Sequence, residues 1–172
     1  MKQGMTIREL IRADISQYNN GLSDAITSLG FYAVLFYRIS RYFSDKGFLW
    51  GAGFLQAISH VLTGAQISHK ADIGPGLKIP HPVGVVIGHI KLGKIATIYQ
   101  GSTISQMYYD EKGPVIGDFF CGCPGSVIMG SIKIGDYVWV GPNSVLFISV
   151  ASNVKVLGNP AKVLPAESKK MV

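Results

Sequence analysis

Charged residues and cysteines are scarce in this sequence, and no long apolar segment is free of charge. Of 172 residues, 15% are charged, 48% are hydrophobic and two are cysteine. Cys121 and Cys123 are separated by one residue, a spacing that makes a mutual disulfide awkward and that matches no common metal pattern. We interpret them as small residues that fill a repeat.

The stretch of residues 31–43 is strongly apolar but contains Arg38 and Arg41. It is too short and too charged to span a bilayer, whose hydrocarbon core is about 30 Å thick. We expect it to pack against neighbouring helices; peripheral contact with a membrane is the alternative, because arginine beside aromatic residues suits an interface. The N-terminus has no apolar core followed by a cleavage site, so the sequence predicts a cytoplasmic protein.

Basic residues outnumber acidic residues, 16 to 10, but they form no dense run and no stripe interleaved with aromatic residues. Nucleic acid is therefore not an expected partner. A basic surface suits an anionic small molecule equally well. The high apolar content predicts a homo-oligomer, because a narrow monomer cannot bury its apolar faces alone.

Two regions differ in the period of their apolar residues, and the change falls near Gly64. Before it, short apolar segments have helical spacing. After it, the period becomes six. The sequence therefore predicts a helical region over residues 1–64 and a second domain, with a C-terminal tail, over residues 65–172.

From Gln66 onward, aliphatic residues recur every six positions, which indicates an internal repeat. The positions of this ladder are Ile67, Ile73, Ile79, Leu92, Ile98, Ile104, Ile116, Gly122, Ile128, Ile134, Val140 and Leu146. In a triangular coil, three six-residue sides make one turn and each side points one aliphatic residue inward. The sequence therefore predicts a mainly β fold, a left-handed parallel β-helix of hexapeptide repeats from about Ala65 to Leu164, preceded by a short N-terminal helical region.

Two segments break the six-residue period, and breaks in a repeat usually mark loops on the functional face. Eight positions separate Ile79 from the aliphatic Ile87, with residues 80–86 between them, and twelve separate Ile104 from Ile116, where residues 105–114 fill the gap. In the second loop, Tyr108, Asp110 and Lys112 are candidates to touch a substrate or a neighbouring subunit. A solvated loop is the alternative.

Three motifs occur in order in the repeat region: KIPHPVGVVIG at residues 78–88, TIYQG at residues 97–101 and LGNPAKVL at residues 157–164. In these motifs the chain resembles the serine acetyltransferase branch of the hexapeptide-repeat acyltransferases, whose members carry a histidine segment similar to DHGTGVVIG. The resemblance covers roughly the last hundred residues. It implies acetyl-CoA as co-substrate, no metal and a homotrimer.

His81 matches the catalytic histidine of that family by position. Independently of the family, an imidazole at a break of the repeat is a reasonable general base at neutral pH. The implied reaction is direct transfer: His81 deprotonates an acceptor hydroxyl, the oxygen attacks the thioester, and backbone N–H groups stabilise the oxyanion. The resemblance also implies contacts with the co-substrate at four motif-matched positions, Ser126, Gly141, Gly158 and Lys162.

The chain departs from the family pattern at two active-site positions. Where the family places an Asp that orients the histidine, alignment of the coil puts Gln66, which we assign to the catalytic site with His81. The family's Arg-His-Pro corresponds to residues 112–114, where glycine replaces the second histidine. Because a cationic amino-acid acceptor loses its anchor, we expect O-acetylation of a saccharide or saccharide precursor in polysaccharide biosynthesis, with serine as the alternative acceptor.

Two other classes of function compete with an O-acetyltransferase. A catalytically silent scaffold would keep the coil without the chemistry, as the replacements at Gln66 and Gly113 suggest. A metal-binding coil would resemble the carbonic-anhydrase-like members of the superfamily. Its only plausible imidazole ligands would be His69, His81 and His89.

Overall fold

The computed structural model describes residues 4–108 and 112–164. Four helices come first: α1 (Ile7–Ile15), α2 (Leu22–Ile26), α3 (Leu29–Asp45) and α4 (Leu49–Thr63). A capping box starts α1, because Thr6 and Glu9 each bond the other's backbone N–H through a side-chain oxygen. Gly64 ends α4 with a left-handed backbone conformation, φ 73°.

Fifteen short strands follow in the described part of the chain. They are β1 (Gln66–Ile67), β2 (Asp72–Ile73), β3 (Leu77–Lys78), β4 (Val86–Ile87), β5 (Lys91–Leu92), β6 (Ala96–Ile98), β7 (Thr103–Ser105), β8 (Val115–Ile116), β9 (Cys121–Gly122), β10 (Val127–Met129), β11 (Lys133–Ile134), β12 (Trp139–Val140), β13 (Val145–Leu146), β14 (Lys155–Leu157) and β15 (Lys162–Leu164).

Three sheets form because strands pair in parallel with those a full turn away. Sheet A contains β1, β4, β7, β10 and β13, and sheet B contains β2, β5, β8 and β11. Sheet C contains β3, β6, β9, β12 and β14, and β15 adds to it in antiparallel orientation. The chain passes through sheets A, B and C in turn, so we name the turns between them the A–B, B–C and C–A edges.

The aliphatic ladder fills the interior of this coil. Its aliphatic members are at most 4% exposed. At Gly122, where the ladder has no side chain, the Phe120 ring occupies the space, and a Cβ on Gly122 would lie 3.3 Å from that ring. Parallel β-sheets that follow an N-terminal helical region are therefore confirmed.

Asp14 of α1 and Arg38 of α3 form a buried ion pair that joins the helices to the first turn of the coil. Arg38 Nε lies 2.9 Å from Asp14 Oδ2. The guanidinium also donates to the carbonyl oxygens of residues 73–74, both at 2.7 Å, and the carboxylate accepts the N–H groups of residues 76–77 at 3.0 and 2.9 Å. The first turn has no turn below it, so these side chains satisfy backbone groups that would otherwise be buried without partners.

The helix α3 shares one hydrophobic core with the coil. Ala33, Val34 and Tyr37 belong to the same buried cluster as the ladder. The Tyr37 hydroxyl donates to Ala71 O at 2.9 Å and accepts from Ile73 N at 3.2 Å, and burial raises the pKa of Tyr37 to about 12. The apolar stretch of α3 thus packs largely inside the protein. Within the described residues, no helix is long and apolar enough to cross a membrane.

Candidate active site

His81 lies in the loop that connects β3 to β4 at the C–A edge. Prolines flank it on both sides, and the Val85 N–H donates to Pro82 O at 3.1 Å, which closes the loop as a turn. The His81 side chain is exposed, and no hydrogen bond joins its imidazole to any residue of the described ranges. An exposed imidazole without such a partner can accept a proton from an incoming hydroxyl.

Gln66 begins β1, one turn of the coil closer to the helices. Its backbone N–H donates to Val85 O at 2.8 Å, so Gln66 contacts the end of the loop that carries His81. Its side chain is exposed. In the part of the chain that the structure describes, no hydrogen bond joins its amide to His81. The orienting role of Gln66 therefore stays a prediction.

Three glycines stack on successive turns of the C–A edge, and we call Gly84, Gly101 and Gly125 the glycine column. Each has a left-handed backbone conformation, with φ of 73°, 68° and 69°. A Cβ on Gly84 would lie 3.4 Å from the Cα of Gly101, and a Cβ on Gly101 would lie 3.7 Å from the Cα of Gly125. At these three positions the edge exposes backbone instead of side chains, so a long, thin ligand can approach it closely.

Two of the four predicted co-substrate positions are buried. Ser126 is 0% exposed, and its Oγ lies 3.1 Å from Ser102 Oγ inside the coil. It presents no side chain to a ligand on the surface. Gly141 is buried under the neighbouring turn, where a Cβ would overlap the side chain of Leu157. Glycine at this position lets Leu157 pack closely.

The other two predicted co-substrate positions are exposed at the end of the C–A edge that lies farthest from the helices. The Gly158 N–H donates to Ser144 Oγ at 3.0 Å, which fixes the turn after β14. Lys162 lies in β15 opposite Leu157. Among described residues, no ion pair involves Lys162. An ammonium group in this state can bind a phosphate as a point charge.

The predicted substrate loop lies at a different edge from the candidate base. Tyr108 and Lys112 are exposed in the A–B connection between β7 and β8, and Asp110 falls outside the described residues. Within one chain, the width of sheet A separates this connection from His81 at the C–A edge. A single chain does not bring these residues together.

The histidines considered as metal ligands do not converge. The Nδ1 atom of His69 lies 3.1 Å from Ser44 Oγ, and partial burial, followed by the charges of Lys70 and Arg41, lowers the pKa of His69. His89 is exposed on the next turn of the A–B edge. Over residues 4–108 and 112–164, no group of three or more His, Cys, Asp or Glu could hold a metal ion.

A trough of about 940 Å³ lies on the outer face of sheet C, away from the candidate base. Trp139 and Cys121 line it, together with Phe119 and Tyr137, whose rings stack 4.4 Å apart. Cys121 and Cys123 are free thiols. Burial raises the pKa of Cys121 to about 12, so the thiol is protonated at neutral pH and is a poor nucleophile.

The glycine column is the part of this site that the sequence-based expectations miss. The sequence does carry a signal for it, because each member lies three positions before an inward aliphatic residue of sheet A, as Gly101 lies before Ile104. The expectations instead follow the glycines of the three matched motifs. A search for glycines three positions before the inward aliphatic residues of one sheet would have identified the glycine column.

Two known proteins with similar sequences are both serine acetyltransferases. The serine acetyltransferase of Helicobacter pylori is 31% identical over 138 residues, which cover 78% of this chain and 81% of the relative. That of Staphylococcus epidermidis is 36% identical over 149 residues, which cover 84% of this chain and 70% of the relative. No protein-family model matches the chain.

Solved structures of the same enzyme class have the same fold. The serine acetyltransferase of Brucella abortus matches with a TM-score of 0.86 at 26% identity, over 92% of this chain and 69% of that chain. A complex of a serine acetyltransferase with CoA matches with a TM-score of 0.85 at 26% identity, over 92% of this chain and 69% of that chain.

These relatives correct one prediction and confirm two. The predicted saccharide acceptor is wrong, because the relatives are serine acetyltransferases, and polysaccharide biosynthesis finds no support. The predicted enzyme class, O-acetyltransferase, and the predicted co-substrate, acetyl-CoA, are confirmed. On the identity and coverage of these relatives, the chain belongs to the serine acetyltransferase family.

Proposed function

We propose that this protein transfers the acetyl group of acetyl-CoA to the hydroxyl of serine, with His81 as general base. The observation that carries the proposal is the position of His81, an exposed imidazole beside the bare C–A edge. The names of the relatives support serine as the acceptor. Serine replaces the saccharide expected from the sequence.

The transfer needs one proton acceptor and one nucleophile. The imidazole of His81 removes the proton of the serine hydroxyl, and the oxygen forms a bond to the carbonyl carbon of the thioester. Backbone N–H groups stabilise the resulting oxyanion. The carbon–sulfur bond then breaks, and the protonated imidazole of His81 gives its proton to the departing thiolate. The products are O-acetylserine and CoA.

The C–A edge fits an extended co-substrate. Four turns, about 4.8 Å apart, separate the His81 loop from Gly158, so the edge offers a path of roughly 19 Å. We place the pantetheine arm along the glycine column, with the thioester at His81 and the phosphates near Gly158 and Lys162. Ser126 and Gly141 are left out of this assignment because both are buried.

Gln66 takes the place that an orienting carboxylate has in the family pattern. Its amide oxygen can accept a hydrogen bond from the serine ammonium or from the protonated imidazole of His81. Such a bond to a neutral amide is weaker than one to a carboxylate. We therefore expect weaker binding of serine than a carboxylate at residue 66 would give.

We propose a homotrimer in which sheet A faces the three-fold axis. Its outward row contains Val86, Thr103, Val127 and Val145 in register, whereas the outward row of sheet B carries Asp72, Lys91, Val115 and Lys133. The row without charges suits burial between copies. This arrangement brings the A–B edge of one copy, with Tyr108 and Lys112, to the C–A edge of the next, with His81.

We take the coil to be a left-handed β-helix, the architecture that the resemblance implies. We place the protein in the cytoplasm, where acetyl-CoA is available. A purified protein whose mass by light scattering is three times that of the chain supports the trimer, and a monomeric mass contradicts it.

The test measures CoA released from acetyl-CoA in the presence of serine. We expect His81→Ala to lower kcat by roughly 10² to 10⁴, the usual contribution of a general base. His60→Ala is the matched control, because it removes another exposed imidazole, in α4 of the helical region. Full turnover by His81→Ala contradicts the mechanism, and no serine-dependent release by the unmodified protein favours a silent scaffold.

A further inference from the structure

The helical region contacts, one after another, the residues 76–79 that lead to His81. Asp14 accepts the backbone N–H groups of the first two at 3.0 and 2.9 Å. The next residue, Lys78, donates through Nζ to Gln17 O at 2.8 Å. The middle two of these residues form β3, the edge strand of sheet C, whose other side pairs with β6. The helices therefore hold the side that the sheet leaves open.

The fourth contact is the closest. A Cβ on Gly30, in the first turn of α3, would overlap the carbonyl oxygen of Ile79 and lie 2.8 Å from its carbonyl carbon. Ile79 is 0% exposed and belongs to the buried core cluster, so a shift of its backbone disturbs packed neighbours. Any side chain at residue 30 must displace either α3 or the carbonyl group two residues before His81.

The position of His81 depends on its backbone, because its imidazole has no hydrogen-bond partner among the described residues. Downstream, the loop is held by the end of α4 and by the next turn of the coil: Gly84 N donates to Gly64 O and Gly101 N donates to Val83 O, both at 3.0 Å. Upstream, the contacts to residues 76–79 come from the helical region and from β6. The flanking prolines restrict the backbone between these two anchors.

We propose that Gly30 is a positioning residue for His81: it lets α3 lie against Ile79 O and so fixes the upstream end of the catalytic loop. The proposal rests on the proposed function, in which His81 is the base. It gives the helical region a role in catalysis in addition to capping the coil. A misplacement of about 1 Å at a reacting group can cost 10²-fold in rate.

The experiment compares two identical changes in the helical region. Gly30→Ala adds a methyl group against the Ile79 carbonyl, whereas Gly53→Ala in α4 adds one where nothing lies within 4 Å. We expect Gly30→Ala to lower kcat roughly 10- to 100-fold, with the KM for acetyl-CoA changed less than twofold. Gly53→Ala should keep the unmodified kcat. Equal kcat in Gly30→Ala and the unmodified protein would overturn the proposal.

A third variant separates positioning from stability. The Ser40 hydroxyl donates to Ala52 O at 2.6 Å between α3 and α4, so Ser40→Ala destabilises the helices without touching residues 76–79. If Ser40→Ala loses as much kcat as Gly30→Ala at matched thermal stability, the effect is merely structural. In a His81→Ala background, Gly30→Ala should cause no further loss, and a further loss of tenfold contradicts positioning through His81.

A spectroscopic readout keeps the proposal testable without turnover. Long-range ¹H–¹⁵N spectra should show the His81 imidazole signals shifted in Gly30→Ala and unchanged in Gly53→Ala. Unshifted signals overturn the positioning role, even where the unmodified enzyme fails to acetylate serine and the proposed function is lost. If Gly30→Ala does not fold, Lys78→Met removes the bond to Gln17 O instead, and it should shift the same signals.

Discussion

The B–C and C–A edges share a backbone conformation but differ in their side chains. At the B–C edge, Ile95, Phe119 and Tyr137 have φ of 55°, 57° and 54°. At the C–A edge, the glycine column has φ of 73°, 68° and 69°. Bulky residues hold the left-handed conformation at one edge, so the backbone alone does not demand glycine at the other. We infer that the glycine column keeps space free outside the coil.

The contacts at the two edges agree with this difference. At the B–C edge, Asp118 accepts the Lys94 N–H at 2.9 Å and Asp136 accepts the Asp118 N–H at 2.7 Å, so that side chains tie each turn to the next. Phe119 and Tyr137 stack with an interplanar angle of 6°. At the C–A edge, the three positions of the glycine column carry no side chain, although Val83 and Asn143 are exposed beside them. One edge stabilises the coil, and the other is where we propose that the co-substrate binds.

The largest effect should come from the base of the B–C edge. Asp14→Asn leaves the Arg38 guanidinium buried without a carboxylate, and we expect the free energy of unfolding to fall by about 3–5 kcal/mol. Urea denaturation measures the change. Asp118→Asn is the control on the same edge, because the exposed pair of Lys94 and Asp118 contributes at most about 1 kcal/mol. An equal loss in the free energy of unfolding for Asp14→Asn and Asp118→Asn would contradict the structural role that we assign to Asp14.

A second effect depends on pH and concerns Tyr37, which binds the turn before β2. Its pKa is raised from 10.0 to about 12, chiefly by burial, so the protonated hydroxyl is favoured in the folded state. Its contribution is fully present below pH 10 and is lost as the pH rises through 12. At 1.4 kcal/mol for each pKa unit, the loss is about 2–3 kcal/mol.

The measurement is the free energy of unfolding in urea at several pH values between 8 and 12. Tyr37→Phe should be less stable than the unmodified protein at pH 8, because the hydroxyl bonds to Ala71 O and Ile73 N are gone. It should lose less stability between pH 10 and 12. Tyr32→Phe, which removes a hydroxyl bonded to Ile26 O from a partly exposed ring, should follow the unmodified pH profile. Parallel profiles for all three proteins would contradict the assignment.

The difference between the edges also explains what the sequence could predict. The ladder repeats every six residues and forms the interior, so the coil and the break at His81 are readable from local pattern. The contacts of Asp14 with residues 76–77 and of Gly30 with Ile79 join segments about fifty or more positions apart, and no periodic signal marks them. Lys112 and His81 lie at different edges because four strands, β4 to β7, separate them in a coil of three sheets. This placement becomes visible only once every strand has been assigned to its sheet.

The smallest effect tests the C–A edge directly. Gly101→Ala places a methyl group on the glycine column, where the neighbouring turn lies 3.7 Å away and leaves room for it. We expect the left-handed alanine to cost about 1–2 kcal/mol of stability. The KM for acetyl-CoA should rise about tenfold, which corresponds to about 1.4 kcal/mol.

Ile95→Ala is the control, because it puts alanine at the left-handed position of the B–C edge in the same turn of the coil. It should leave this KM within twofold of the unmodified value. A KM raised equally by both variants would mean that the two edges do not differ in function, and an unchanged KM in Gly101→Ala would place acetyl-CoA elsewhere on the coil.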